Sequence, residues 1–193
     1  MQRACKLFPV IIGVDDALRV LPARERVAAL SRLARRAVFV SAERFGARLG
    51  ALEKDVDGVP QPSNGFFWSV THKPRYVGGV IAPGPVGIDI ERLKPRSVSL
   101  IRKIASDREW ALAEDKSALR FFRYWTAKEA VLKAEGVGLS GLSRCRITAV
   151  PDDQSLMVRF DGRKWLVTQL KFNGHIAAVT ASAEAAEWVH QAF

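Results

Sequence analysis

Cysteine is nearly missing. Cys5 and Cys145 are the only two in 193 residues, far apart and without metal-ligand spacing. That excludes a disulfide framework and a cysteine zinc site, and it fits a reducing cytoplasm. No stretch approaches the roughly 18 apolar residues of a membrane span; the longest candidate, LFPVIIGV, is broken by Pro9 and Gly13. Arg3 and Lys6 precede this run, but Asp15 and Asp16 follow it directly and no small-x-small cleavage site is present, so the run predicts a first β-strand and not a signal peptide. A glycine-rich nucleotide loop is absent, which excludes an ordinary ATPase or dehydrogenase. Also absent are a nucleophile elbow, an H-E-x-x-H helix and a catalytic cysteine arrangement. There is no internal repeat and no low-complexity tract or long linker.

Acidic residues are the other shortage. Twenty Asp and Glu face thirty Lys and Arg, leaving a net charge of +10 and a pI near 10.1, so an anionic partner is expected. The excess is concentrated between Arg19 and Gly50, where eight arginines, Arg35, Arg36 and Arg44 among them, meet only Glu25 and Glu43. Charge alone does not choose among nucleic acid, an anionic membrane, a phosphorylated small molecule and an acidic protein.

The hydrophobic content of 48% is enough for a real core. Pro22 to Leu52 has helical spacing and predicts two helices. After the turn-rich DVDGVPQPSNG, the segments FFWSVTH, YVGGVIA and VGIDIE predict three strands in a meander. Ser97 to Glu135 reads as helical, with a helix start at Ser106 to Glu109. RCRITAV, SLMVRF, KWLVTQLKF and HIAAVTA then read as antiparallel strands separated by PDD, DGR and NG, and an amphipathic tail, Ala183 to His190, follows. Helices, strands, helices, strands: the order predicts an α+β protein of two small units, 1–85 and 86–193.

Chemistry concentrates in two of these segments. In VGIDIE the period of two puts Val86, Ile88 and Ile90 on one face and Asp89 with Glu91 on the other. Neighbouring carboxylates repel unless a proton or a cation intervenes, and oxygen-only donors suit Mg²⁺; a solvated strand face is the competing reading. In WTAKEAVLKAEG, a helical wheel puts Lys128 inside the apolar arc of Phe121, Trp125 and Leu132, with Glu129 beside it and Lys133 at its edge. Glu129 and Lys133 also have the spacing of an ordinary surface ion pair, which leaves Lys128 unexplained, because a buried ammonium needs an anion or must snorkel out. The alternative is a site in which Glu129 joins Asp89 and Glu91 around a metal and the lysines sit beside a phosphoryl group. Thr71, His72 and Lys73 end the first of the three strands and offer an anion three donors.

WSVTH, VGIDIERLKP and YWTAKEAVLKAEGVGLS, in this order, resemble the 4′-phosphopantetheinyl transferases of the surfactin-synthetase-activating type. More faintly, RRAVFVSAERFGARLGAL resembles the arginine-rich helix of the enterobactin-pathway members. The resemblance implies two similar α+β halves related by a pseudo-twofold axis, with coenzyme A between them. It implies an enzyme that moves the phosphopantetheine arm of coenzyme A to a serine of an acidic apo carrier protein and releases adenosine 3′,5′-bisphosphate. Asp89, Glu91 and Glu129 would hold Mg²⁺, and Glu129, or a water it orients, would take the serine proton. Lys133 and Lys128 would hold the pyrophosphate, and His72 with Thr71 would contact a coenzyme phosphate. The chain departs from the family at Val59, where many members have a lysine in Gly-Lys-Pro, at Thr71 for serine, and at Lys73 for a small residue. Lys73, Arg35, Arg36 and Arg44 are the candidates to replace the lost charge. A monomer in the cytoplasm is expected, with neither a membrane nor a nucleic acid as partner; a basic nucleic-acid-binding module is the alternative.

Overall fold

The computed structural model describes residues 6–95, 97, 101, 103–113, 118–181 and 186–191. Two sheets organise it. The first has the order β2-β3-β1-β9, from β1 (Val10–Gly13), β2 (Phe67–His72), β3 (Tyr76–Ala82) and β9 (Val189–Gln191); the second has the order β4-β8-β7-β6-β5. Its strands are β4 (Ile88–Arg92), β5 (Cys145–Ala149), β6 (Ser155–Phe160), β7 (Arg163–Phe172) and β8 (His175–Ala181). Every neighbouring pair in the second sheet is antiparallel. In the first sheet, β9 runs parallel to β1, so the expected tail ends in a strand from Val189; residues 183–185 lie outside the described residues.

A short helix α1 (Asp16–Arg19) precedes one long helix, α2 (Ala23–Phe45), where the sequence predicts two. The chain leaves the helix at Gly46, whose φ of 78° places it in the left-handed region, a conformation that glycine adopts without a Cβ penalty. Helix α2 buries Ala29, Leu30, Leu33, Ala34, Ala37, Val38, Ser41 and Ala42. Small residues allow this helix to lie close on the sheet: a Cβ on Gly79 of β3 would meet the Val38 nitrogen at 2.5 Å.

The predicted three-strand meander is not formed. β2 and β3 make a hairpin, but β4 pairs with β8 in the other sheet, Asp89 facing Ala178. Pro83, Gly84 and Pro85 separate β3 from β4 and turn the chain out of the first sheet. Two bonds staple the strand in its new place, one from the Ile88 N–H to Ser69 Oγ (3.2 Å) and one from the Gly87 N–H to Thr180 Oγ1 (2.9 Å).

Helix α3 (Asp107–Trp110) starts from a complete capping box, in which the Ser106 hydroxyl accepts from the Glu109 N–H and the Glu109 carboxylate accepts from the Ser106 N–H. Helix α4 (Ala118–Ala134) is buried on nearly every side. Phe121, Phe122, Val131 and Leu132 pack with Ile147, Leu156, Val158, Phe160 and Ile176 of the second sheet. Gly87 sets how close α4 comes to β4. A Cβ there would run into the Ala130 carbonyl oxygen and stand 2.8 Å from both Ala130 C and Ala134 N. Gly87→Ala is therefore expected to cost about 1–3 kcal/mol or more and to displace the helix that bears Glu129 and Lys133; urea unfolding measures the first effect and a crystal structure the second.

Candidate active site

The strand face foreseen in VGIDIE is real: Ile88 and Ile90 are fully buried in one direction, while Asp89 and Glu91 point the other way toward α4 and β2. Asp89 is 3% exposed. Its Oδ1 accepts from the Thr71 hydroxyl (3.1 Å) and from Lys133 Nζ (2.8 Å), and its Oδ2 is buried without a partner. Lys133 Nζ also donates to the Ile88 carbonyl (2.9 Å). The Glu129–Lys133 surface pair is thus not made; Lys133 reaches instead to a strand 44 residues away. Glu91 Oε1 accepts from Lys73 Nζ (2.9 Å) and from the Trp125 indole N–H (3.1 Å).

These groups line one cavity of 320 Å³ together with Ser31, Lys54, His72 and Glu129. It adjoins a second, of 720 Å³, which shares Lys54, Val70 and Lys133 with it and is walled by Asp55 to Pro60 on one side and by Leu132 to Gly138 on the other. The electrostatics are mixed by design of the sequence. Burial and the Asp89 charge raise the Glu129 pKa above the ordinary carboxylate value, with Lys133 and Lys73 opposing. Burial lowers the His72 pKa, and Lys133, Lys73 and Lys54 lower it further, so the ring is neutral at pH 7. Burial disfavours the Lys73 ammonium, but Asp89 and Glu91 outweigh it and lift its pKa above the usual lysine value.

Several expected members stand elsewhere. Lys128 is 2% exposed and its ammonium goes to Glu109 Oε1 (2.6 Å) and the Ile104 carbonyl (2.6 Å), inside the core of the second unit. The wheel placed it correctly as buried; its anion is Glu109, not a phosphate. Thr71 spends its hydroxyl on Asp89. Arg35 donates to the Leu52 carbonyl (2.7 Å) with its guanidinium 5.8 Å from the Trp68 ring centre, and Arg36 and Arg44 are exposed on α2; none of the three lines either cavity. Nor do Asp89, Glu91 and Glu129 converge as a three-carboxylate cluster: among the described residues no three His, Cys, Asp or Glu side chains come together closely enough to hold a metal. The physical reason is that Asp89 and Glu91 are each drawn to their own lysine. Cys145 is buried, which pushes its thiol up to about 12 and leaves it inert. Sequence reasoning missed Lys54 and Trp125. Lys54 faces Pro60 across an isolated antiparallel bridge, and only that pairing carries it to the junction of the two cavities.

The segment that holds Asp89, Glu91, Glu129 and Lys133 is also the one that matches known proteins: residues 85–180 fit the model of the 4′-phosphopantetheinyl transferase superfamily. The match takes in just under half of the chain. It is 32% identical over 97 residues to the 4′-phosphopantetheinyl transferase ffp of Bacillus subtilis, covering 48% of this chain and 43% of that protein. To the 4′-phosphopantetheinyl transferase Sfp of Bacillus subtilis strain 168 it is 36% identical over 86 residues, 42% of this chain and 38% of the relative. To HetI of Nostoc, another protein of that name, it is 39% identical over 74 residues, 35% and 31% of the two chains. The chain thus spans less than half the length of these relatives. No described helix is long and apolar enough to cross a membrane.

Proposed function

We propose that the protein transfers the 4′-phosphopantetheine arm of coenzyme A to a serine hydroxyl of an apo carrier protein. The observation that supports this best is the convergence, in one cleft, of β4 (Asp89, Glu91), α4 (Glu129, Lys133) and the end of β2 (Thr71, His72, Lys73), opening into a space lined by both units. In the reaction the serine oxygen forms a bond to the pantetheine-bearing phosphorus, the bond from that phosphorus to the bridging oxygen breaks, and adenosine 3′,5′-bisphosphate leaves. The proton goes to Glu129 or to a water it orients, a role suited to a carboxylate whose pKa is raised. Lys133 and Lys54 hold the diphosphate, and neutral His72 donates to a terminal phosphate.

A hard divalent cation such as Mg²⁺ fits the donors. Asp89 Oδ2 has no partner, Glu129 makes no ion pair among the described residues, and Mg²⁺ needs only one or two carboxylates beside water and phosphate oxygens. Asp89 and Glu129 would hold it, with Glu91 lining the same cavity. Bound there, it supplies positive charge to the diphosphate as the leaving group departs.

We further propose units 1–85 and 86–193 related by a pseudo-twofold axis, since each of the two sheets carries one long helix, α2 or α4, although β9 of the second unit completes the first sheet. A net charge of +10 favours an acidic carrier, met by a cytoplasmic monomer. No observation in the fold or the comparisons favours nucleic-acid binding. The test is chromatography of a reaction containing the protein, coenzyme A, Mg²⁺ and an apo carrier: adenosine 3′,5′-bisphosphate appears only when the carrier is present. Its absence with every carrier tried defeats the reading. Lys54→Ala is expected to raise the KM for coenzyme A roughly tenfold with little change in kcat, the loss of one charge-assisted bond formed equally in ground and transition states.

A further inference from the structure

We propose that a groove at the far edge of the second sheet, between α3 and β5, is an anion site that takes the dianion of a phosphate monoester. It is separate from the cleft and does not depend on the transferase reading. The sheet order β4-β8-β7-β6-β5 puts β5 four strand intervals from the strand that carries Asp89, about 19 Å at the usual spacing.

The inner face of this edge, with Ile147, Val158 and Trp165, packs in the core. On the outer face the register sets Arg146 directly opposite Arg159, and Arg159 directly opposite Lys164. Like charges in directly opposite positions destabilise a sheet, and here they stand in one unbroken row across β5, β6 and β7. Nearby cations are matched: Arg144 pairs with Asp161, and Arg163 lies 3.9 Å from Glu135. Arg146, Arg159 and Lys164 have no acidic partner among the described residues, and neither has Arg108 of α3. Helix α3 brings Arg108 up beside the row, and the groove between them, 460 Å³, is lined by Arg108, Arg146 and Arg159 with Thr148 and Leu112. Glu109 also lines it, but its carboxylate is already matched by Lys128 and by the Ser106 and Ile147 N–H groups. Three guanidinium forks suit the oxygens of a phosphate and offset its two charges. An anion bridging Arg146 and Arg159 turns their repulsion into a shared attraction. The groove leaves room beside the phosphate for the group it is esterified to, and Leu112, 39% exposed, is the apolar surface which that group meets.

The experiment is a titration of the ¹⁵N-labelled full chain with sodium phosphate and with phenyl phosphate, at constant ionic strength and a pH where both are dianions. It is read at the side-chain Nε–H resonances of Arg146 and Arg159, each assigned by its loss in Arg146→Gln or Arg159→Gln. Both anions are expected to saturate these shifts, phenyl phosphate at the lower concentration. Either variant is expected to weaken the binding read at the remaining arginine roughly tenfold, the loss of one charge-assisted contact. Arg144→Gln, whose cation is already paired with Asp161, and Lys54→Ala, in the cleft, are expected to leave it unchanged. A double-mutant cycle of Arg146→Gln and Arg159→Gln, measured by urea unfolding, is expected to show the two arginines repelling in chloride and attracting in saturating phosphate. Shifts that do not saturate, an equal weakening in Arg144→Gln or Lys54→Ala, or a coupling of the same sign in both buffers overturns the proposal. Phenyl phosphate binding no more tightly than phosphate overturns the assignment to a monoester.

Discussion

Lys128→Met is expected to destabilise the protein by about 3–5 kcal/mol, the cost of leaving one member of a buried pair without its partner. The substitution preserves the stem among the α4 core residues and deletes only the ammonium. Glu109 would then keep its bonds from the Ser106 and Ile147 N–H groups but lose its counter-charge. The sign of the pH dependence follows. Burial raises the Glu109 pKa, yet the hydrogen bonds and charge of Lys128, Ser106 and Ile147 outweigh it, and the folded value lies below the ordinary 4.5. The stability this contributes is present above the unfolded pKa and is lost as pH falls through the folded value. In Lys128→Met that acid-side loss moves to higher pH. Urea titrations at several pH values measure both effects, and Lys128→Met with Glu109→Gln is expected to recover part of the loss, because the unpaired charge is gone. Where the variant is folded, its KM for coenzyme A is expected to match the wild type; a large rise would return Lys128 to the cleft.

The sequence made some of this legible and concealed the rest for identifiable reasons. The two faces of VGIDIE follow from a local period of two, and the structure keeps them. The wheel located Lys128 on a buried face, but its anion lies on a separate short helix 19 residues upstream, and no local pattern says where that helix docks. The capping box at Ser106 was readable, whereas the second task of Glu109 was not. The two helices expected between Pro22 and Leu52 are one that ends at Gly46, because the left-handed conformation there turns the chain out of the helix. The meander failed because strand pairing is non-local: β4 has the composition to pair with either sheet, and the Pro83 to Pro85 turn sends it to β8. Lys54 reaches the cleft through its bridge to Pro60, and Trp125 stands one helical turn before Glu129 on α4.

The second large effect concerns the chemistry. Asp89→Ala removes the acceptor of both Thr71 and Lys133, and Glu129→Gln removes the only cleft carboxylate without an ion pair among the described residues while keeping its shape. Each is expected to lower kcat by about 10²–10⁴-fold, with urea stability of Glu129→Gln close to wild type, since no ion pair of Glu129 is lost. The distinction matters for Asp89, whose carboxylate also joins β4, β2 and α4; for that variant the rate is to be compared at a temperature where circular dichroism shows it folded.

The most direct test of the central claim is the intact mass of an apo carrier protein after incubation with this protein, coenzyme A and Mg²⁺. The account predicts a carrier heavier by one phosphopantetheine with the wild type and unmodified carrier with Glu129→Gln over the same time. A carrier that gains the same mass at the same rate with Asp89→Ala and Glu129→Gln, or one that gains none with the wild type across several apo carriers, would contradict it.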